Sequence, residues 1–338
     1  MTCWARAFLC LLLLPVQAWA SDTLPVETGF LPDLPVPMSN NATAVVEAPE
    51  GLQLFSFFGL EGGKTWQHLS ASGWNWTKGR ADWNPLGPLP EATGRLAAAA
   101  VTVGTDIWVF GGYTVDDDGG EVSTPEVFRL ETASGEANHV TDMPVPVDDM
   151  VTMVYQERYI YLVSGWHDLG NVNLVQVLDT HTLQWSMATP YPGEPVFGHA
   201  GALAQPVFVG KDKEKPVLRG KILICDGVRI EYPVDGSARR FLSSDECWKG
   251  GIDPEDFRRI AWSPAPPHPG RPRYRAAAGT DGHGRIVFIG GSANPYNYDG
   301  VGYDGVPSEP ETTIFRFNFD DEKWESAWEW PEAGMDYR

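Results

Sequence analysis

Arg95-Leu-Ala-Ala-Ala-Ala-Val, a short gap, and Asp106-Ile-Trp-Val-Phe-Gly-Gly112 recur downstream as Arg275-Ala-Ala-Ala-Gly and Arg285-Ile-Val-Phe-Ile-Gly-Gly291. Between them stand Asp149-Met-Val-Thr-Met-Val with Tyr159-Ile-Tyr-Leu-Val-Ser-Gly165, and His199-Ala-Gly-Ala-Leu-Ala with Lys221-Ile-Leu-Ile-Cys-Asp-Gly227. A fainter copy runs Ala44-Val-Val-Glu-Ala, then Leu52 to Gly59. Each unit is a strand of small apolar residues, a turn, and a continuous β-branched or aromatic strand that ends in glycine. Self-similarity at about fifty to sixty residues means stacked supersecondary units, which bury their faces only against one another.

A second pair of strands completes each unit, and the fourth strand often carries a tryptophan: Trp83, Trp185, Trp262, Trp324. Val175 to Asp179, a polar turn, and Trp185 give the clearest case. Pro-rich links follow, as at Leu89-Pro90, Met143-Pro144 and Pro264 to Pro269. Helix signals are nearly absent, so the chain reads as all-β. Four-stranded sheets set around an axis leave only short edges, and small residues on the innermost strand let them converge.

The glycine pair closing the second strand and the later tryptophan resemble the kelch repeat over residues 44–338, which implies a kelch-type β-propeller. Five blades are visible. Met335-Asp-Tyr-Arg338 looks like the opening of a further innermost strand, and kelch propellers usually have six or seven blades, so a six-bladed parent is expected. Ser164-Gly165 and Asp226-Gly227 replace the glycine pair in two blades, and the second blade lacks the tryptophan.

Residues 1–20 read as a secretory signal: Arg6, the apolar Ala7 to Val16, and Ala18-Trp19-Ala20 with cleavage after Ala20. The apolar run is too short to span a bilayer, so a secreted or periplasmic protein without a membrane span is expected. Residues 21–43, with Pro25, Pro32, Pro35 and Pro37, read as a linker or strap. Two cysteines follow the signal, Cys225 and Cys247. In an oxidising compartment they can pair, since both fall in one repeat; two unpaired buried thiols are the alternative. A formal charge of −20 argues against nucleic acid as a partner. Any anionic ligand needs a local basic pocket.

Topology picks out one face for such a pocket, because the first strand begins and the second strand ends at the same end of the axis. That mouth gathers Arg95, Asp148, Asp149, His199 and Arg275 from the first strands, and Tyr113, Trp166, His167, Asp168, Arg229, Asn294 and Tyr296 after the second. Arg95 and Arg275, read as equivalent in their blades, can fork a carboxylate. Tyr113, Trp166 and Tyr296 can stack on a sugar ring, with Arg229 and Asn294 beside them. Ion pairing around the channel, with no ligand, explains the same residues. Asp148 and Asp149 are adjacent on a strand and point to opposite sides, which makes them a poor catalytic pair. No HExxH, P-loop, GxSxG or CxxC motif is present. No metal and no cofactor are expected.

Among exported kelch propellers the chain looks most like the periplasmic N-acetylneuraminate epimerases, or sialic acid mutarotases. That resemblance implies interconversion of sugar anomers, with Arg95 and Arg275 anchoring a carboxylate and His199, Asp149 or His167 moving protons. The family's catalytic glutamate has no counterpart in the ring. A non-catalytic module that binds a protein or glycan on the propeller face is the competing reading.

Overall fold

The computed structural model describes residues 31–62, 65–204, 220–237, 239–282, 284–294 and 310–334. Residues from Asp33 onward form one compact unit. Tyr296 and Met335 to Arg338 lie outside the described residues.

Five four-stranded antiparallel sheets follow one another along the chain, each a simple meander, and together they make a five-bladed β-propeller. Blade 1 holds strands Ala42–Ala48, Gly51–Phe57, Gly73–Thr77 and Asn84–Leu86. Blade 2 holds Ala99–Val103, Asp106–Phe110, Glu126–Glu131 and Glu136–Asp142. Blade 3 holds Val151–Tyr155, Tyr159–Val163, Val175–Asp179 and Gln184–Met187. Blade 4 holds Ala200–Ala204, Lys221–Cys225, Cys247–Ile252 and Ile260–Ala265. Blade 5 holds Ala277–Thr280, Arg285–Ile289, Glu311–Asn318 and Lys323–Gly334. The five units legible as repeats are these five sheets.

Small side chains bring the innermost strands together. All five blades contribute to the wall of one central cavity of about 310 Å³, through Ala42, Ala99, Val151, Ala200, Ala277 and their neighbours. Larger apolar residues fill the spaces between consecutive blades. Phe57 meets Val109 and Phe128 between blades 1 and 2, and Phe110 meets Ile160 and Leu178 between blades 2 and 3. Val163 packs with Ile222 and Ile224, and Leu223 with Ile286 and Phe288, in the next two interfaces. Non-directional burial of this kind is the main favourable term in folding.

Cys225 and Cys247 oppose each other on the second and third strands of blade 4 and form a disulfide. They are 22 residues apart, and closing a loop of that size restricts the unfolded chain by about 3 kcal/mol. The Cys225→Ala/Cys247→Ala variant is therefore expected to unfold at lower urea by about that free energy. Reductant should shift the wild type toward the variant and leave the variant itself unmoved.

Every second strand ends in the same tight turn. Phe58-Gly59, Gly111-Gly112, Ser164-Gly165, Asp226-Gly227 and Gly290-Gly291 have positive φ at both positions. A Cβ on Gly112 or Gly165 would stand 2.6 Å from the carbonyl oxygen of Leu96 or Asp148, so only glycine fits second. The first position tolerates a side chain in the left-handed region. This is why serine and aspartate can replace the first glycine without loss of the turn.

Just before each innermost strand another residue turns left-handed: Asn40, Ala97, Asp149, Gly198 and Arg275. Their main chains link blade to blade. The N–H of Asp149 donates to the Ala97 carbonyl (3.0 Å), that of Gly198 to Asp149 (3.0 Å), and that of Arg275 to Gly198 (2.8 Å). The Ala97 N–H donates to the side-chain oxygen of Asn40 at 3.2 Å. This belt corrects the register read from sequence. Arg275 matches Ala97, and the equivalent of Arg95 is Arg273, because both stand two residues ahead of the left-handed position.

Candidate site at the channel mouth

Three hairpins rise from the mouth face between second and third strands. They pair Tyr113–Val115 with Glu121–Ser123, Trp166–His167 with Gly170–Asn171, and Val228–Glu231 with Arg240–Ser243. Neighbours are joined by polar contacts: the Ser123 N–H donates to Asp168 Oδ1 at 2.8 Å, and Asn171 Nδ2 donates to the Val228 carbonyl at 3.0 Å. Together they enclose a pocket of about 40 Å³.

Aromatic rings form its walls: Tyr113, Trp166, Phe197, Phe241 and Tyr274. Asp148, Asp149 and Arg275 also line it, joined by Glu121 and Arg239. Of the residues expected at the mouth, Tyr113, Trp166, Asp148, Asp149 and Arg275 thus come together. The expectation that Asp148 and Asp149 face opposite ways is corrected here. Strand alternation needs extended backbone, and the left-handed turn at Asp149 (φ 52°) breaks it, so both residues line one pocket.

Arg275 crosses from blade 5 to blade 3. Its Nη2 donates to Asp149 Oδ2 at 2.8 Å and its Nε to Oδ1 at 3.2 Å, a two-point contact buried on both sides. Passage over blade 4 depends on Gly198, whose missing side chain leaves room for the Tyr274 ring.

Asp148 is 2% exposed and accepts a hydrogen bond from Ser123 Oγ at 2.8 Å. Burial first, and then the neighbouring Asp149, hold its carboxyl well above the usual carboxylate range. The folded protein therefore keeps a proton that the unfolded chain releases once pH passes about 4. Stability from this group is complete below that pH and is lost as pH rises through the folded-state pKa. Asp148→Asn retains an acceptor for Ser123 and never ionises. The variant is expected to exceed the wild type in stability at pH 7 and to converge on it below about pH 4. Urea unfolding at the two pH values checks this, and a difference independent of pH would contradict it.

Other expected residues are placed elsewhere. Arg95 is 1% exposed and engaged away from the pocket. Its Nη1 donates to the Gly111 carbonyl (3.2 Å), Thr124 Oγ1 (2.8 Å) and Glu126 (3.3 Å). Arg273 repeats the first contact in blade 5, donating to the Gly290 carbonyl at 3.0 Å. His199 is fully buried at the wall of the central cavity, and its Nε2 donates to the Val163 carbonyl at 2.9 Å. His167 Nδ1 donates to the Pro146 carbonyl at 2.8 Å. Arg229 pairs with Glu194 at 3.1 Å, and the Asn294 N–H donates to Ser292 Oγ at 3.1 Å.

Arg239 is among the pocket residues that sequence reasoning missed, with Glu121, Phe197, Ile230, Phe241 and Tyr274. Its guanidinium lies 5.7 Å over the Trp166 ring and 5.2 Å over Phe241. It lines the pocket, is exposed, and has no carboxylate in ion-pair contact among the described residues. It stands one residue before the Arg240–Ser243 strand, in a hairpin turn outside the repeated strand pattern that marked the other mouth positions.

Fold and mouth together define a β-propeller whose central face is closed by aromatic hairpins over a buried cluster of charge. No family model matches the chain, and no curated protein matches it in sequence. The solved structure of YjhT superposes with a TM-score of 0.62, covering 90% of this chain and 88% of that one at 17% identity. At that identity the likeness is one of fold. No helix among the described residues is long and apolar enough to cross a membrane.

Proposed function

We propose that this chain is an exported kelch-type propeller that binds a small carboxylated sugar at the mouth and interconverts its anomers as a sialic-acid-type mutarotase. The observation that carries the reading is Arg239, a guanidinium stacked on two rings with no carboxylate in ion-pair contact among the described residues. Trp166 and Phe241 offer apolar faces to a sugar ring. Arg239 offers the planar fork that a carboxylate takes. Arg275, already matched by Asp149, holds the floor of the pocket in place. Ring opening needs a group that gives and takes a proton. Asp148, whose buried carboxyl favours the protonated form, supports that role. Export rests on the leader-like N-terminus, and the Cys225–Cys247 bond suits an oxidising compartment.

The test is anomer exchange of N-acetylneuraminate by proton NMR, with N-acetylglucosamine as the uncharged control. Wild type is expected to broaden and exchange the N-acetylneuraminate signals. Arg239→Ala should weaken binding by about ten- to a hundredfold, in line with loss of a charge-assisted contact of about 1.5–3 kcal/mol. Asp148→Asn should still broaden the signals without speeding exchange. If wild type does neither, the mutarotase reading fails.

A further inference from the structure

The outer edge of the same face presents a different surface. Val122, Leu169, Tyr232 and Val234 stand on the three mouth hairpins, with Leu169 at 90% and Val234 at 106% relative exposure. Apolar residues exposed singly are ordinary. Here they share adjoining hairpins that are hydrogen-bonded to one another. A Cβ on Gly170 would lie 3.8 Å from the Tyr232 hydroxyl, which brings the second and third tips side by side.

Each of these side chains has a carboxylate as its chain neighbour: Glu121 beside Val122, Asp168 beside Leu169, Glu231 beside Tyr232, and Asp235 beside Val234. Asp116, Asp117 and Asp118 add exposed negative charge at the first tip. The third hairpin also carries three arginines, Arg229 paired with Glu194, Arg240 with Glu231, and Arg239 over the Trp166 ring, so the uncompensated negative charge gathers on the first two tips. The rim is therefore apolar on all three hairpins and acidic over the first two.

We propose that this rim docks a basic, apolar segment of another protein, with leucine-like side chains among the tips and lysine or arginine on the flanking carboxylates. Charge complementarity selects that occupant. A second copy would oppose acidic tips to acidic tips, and an anionic bilayer would be repelled in the same way. An exposed apolar patch edged by charge is the usual form of a protein-binding surface. The inference does not depend on the sugar reading, which concerns the pocket inside the rim.

The probe is a labelled synthetic peptide of alternating leucine and lysine, with a leucine–glutamate peptide of equal length as control, followed by fluorescence anisotropy. The lysine peptide is expected to bind and the glutamate peptide not to. Raising salt from 0.05 to 0.5 M should weaken binding at least tenfold. The Val122→Ser/Leu169→Ser/Val234→Ser variant changes only exposed tips and is expected to melt as the wild type does while losing about tenfold in affinity. Val45→Ser/Met187→Ser, which alters exposed apolar residues away from the hairpins, should bind as the wild type does. Equal binding by the tip variant, or an equal loss in the control variant, would show attraction by diffuse charge alone and overturn the proposal. Binding to phosphatidylcholine vesicles through the tips, with none to the peptide, would also overturn it by assigning the patch to a lipid surface.

Discussion

Asp149→Ala is expected to lose about 3–5 kcal/mol of unfolding free energy, as buried pairs do when one partner is removed. Most of that loss comes from Arg275. Its side chain is only 9% exposed, and the variant takes away the carboxylate that holds it at 2.8 Å. The Tyr274 hydroxyl, 3.5 Å from the same carboxylate, loses a neighbour as well. Backbone adds a smaller share, because alanine is less at ease than aspartate at φ 52°. Asp149→Asn keeps an acceptor and suits the left-handed region, so its loss should be clearly smaller. Replacing both partners, as Asp149→Ala/Arg275→Met, removes the stranded charge and should recover part of the stability. Urea unfolding of the three variants separates these contributions. An Asp149→Ala protein as stable as the wild type would mean that the pair holds nothing together.

Gly198→Ala should be about as damaging, on the order of 3–5 kcal/mol from left-handed strain together with overpacking. The larger cause is space. A Cβ at this position would stand 2.2 Å from one Tyr274 ring carbon and 2.4 Å from another. The ring is 1% exposed and packs edge-on against Phe197 with centroids 5.6 Å apart, so it has little freedom to withdraw. Positive φ alone is tolerated at the equivalent positions, where Ala97, Asp149 and Arg275 all carry side chains. Ala97→Gly is the control and should change stability by no more than about 1 kcal/mol. If Gly198→Ala melts with the wild type, the crossing of Arg275 over blade 4 does not depend on the glycine.

The contrast between those two positions also marks what sequence can reveal. Alternation of small and large apolar residues, glycine at the strand ends and tryptophan on outer strands marked the five sheets. Tyr113 and Trp166 followed from their place directly after the glycine turns. Register was harder. Setting Arg95 against Arg275 in place of Arg273 is a slip of two residues, and a two-residue slip leaves every side chain on the same face of its strand. Hydrophobic pattern is blind to it. Asp148 and Asp149 were misjudged for a related reason, since neither composition nor period announces a left-handed residue that is not glycine. Arg239 and Phe241 reach the pocket only because a hairpin folds back over the mouth, and that return is decided by tertiary contact.

The belt of hydrogen bonds through residues 97, 149, 198 and 275 runs from main-chain nitrogen to main-chain oxygen in three of its four links. Bonds of that kind are indifferent to the identity of the side chain. Alanine, aspartate and arginine already occupy the same station in different blades. A lineage that inherits this skeleton can therefore exchange the letters displayed around the opening one at a time while the frame that presents them is passed on intact. Glycine at 198 is the letter least open to revision, because a neighbouring ring occupies the room where its side chain would be.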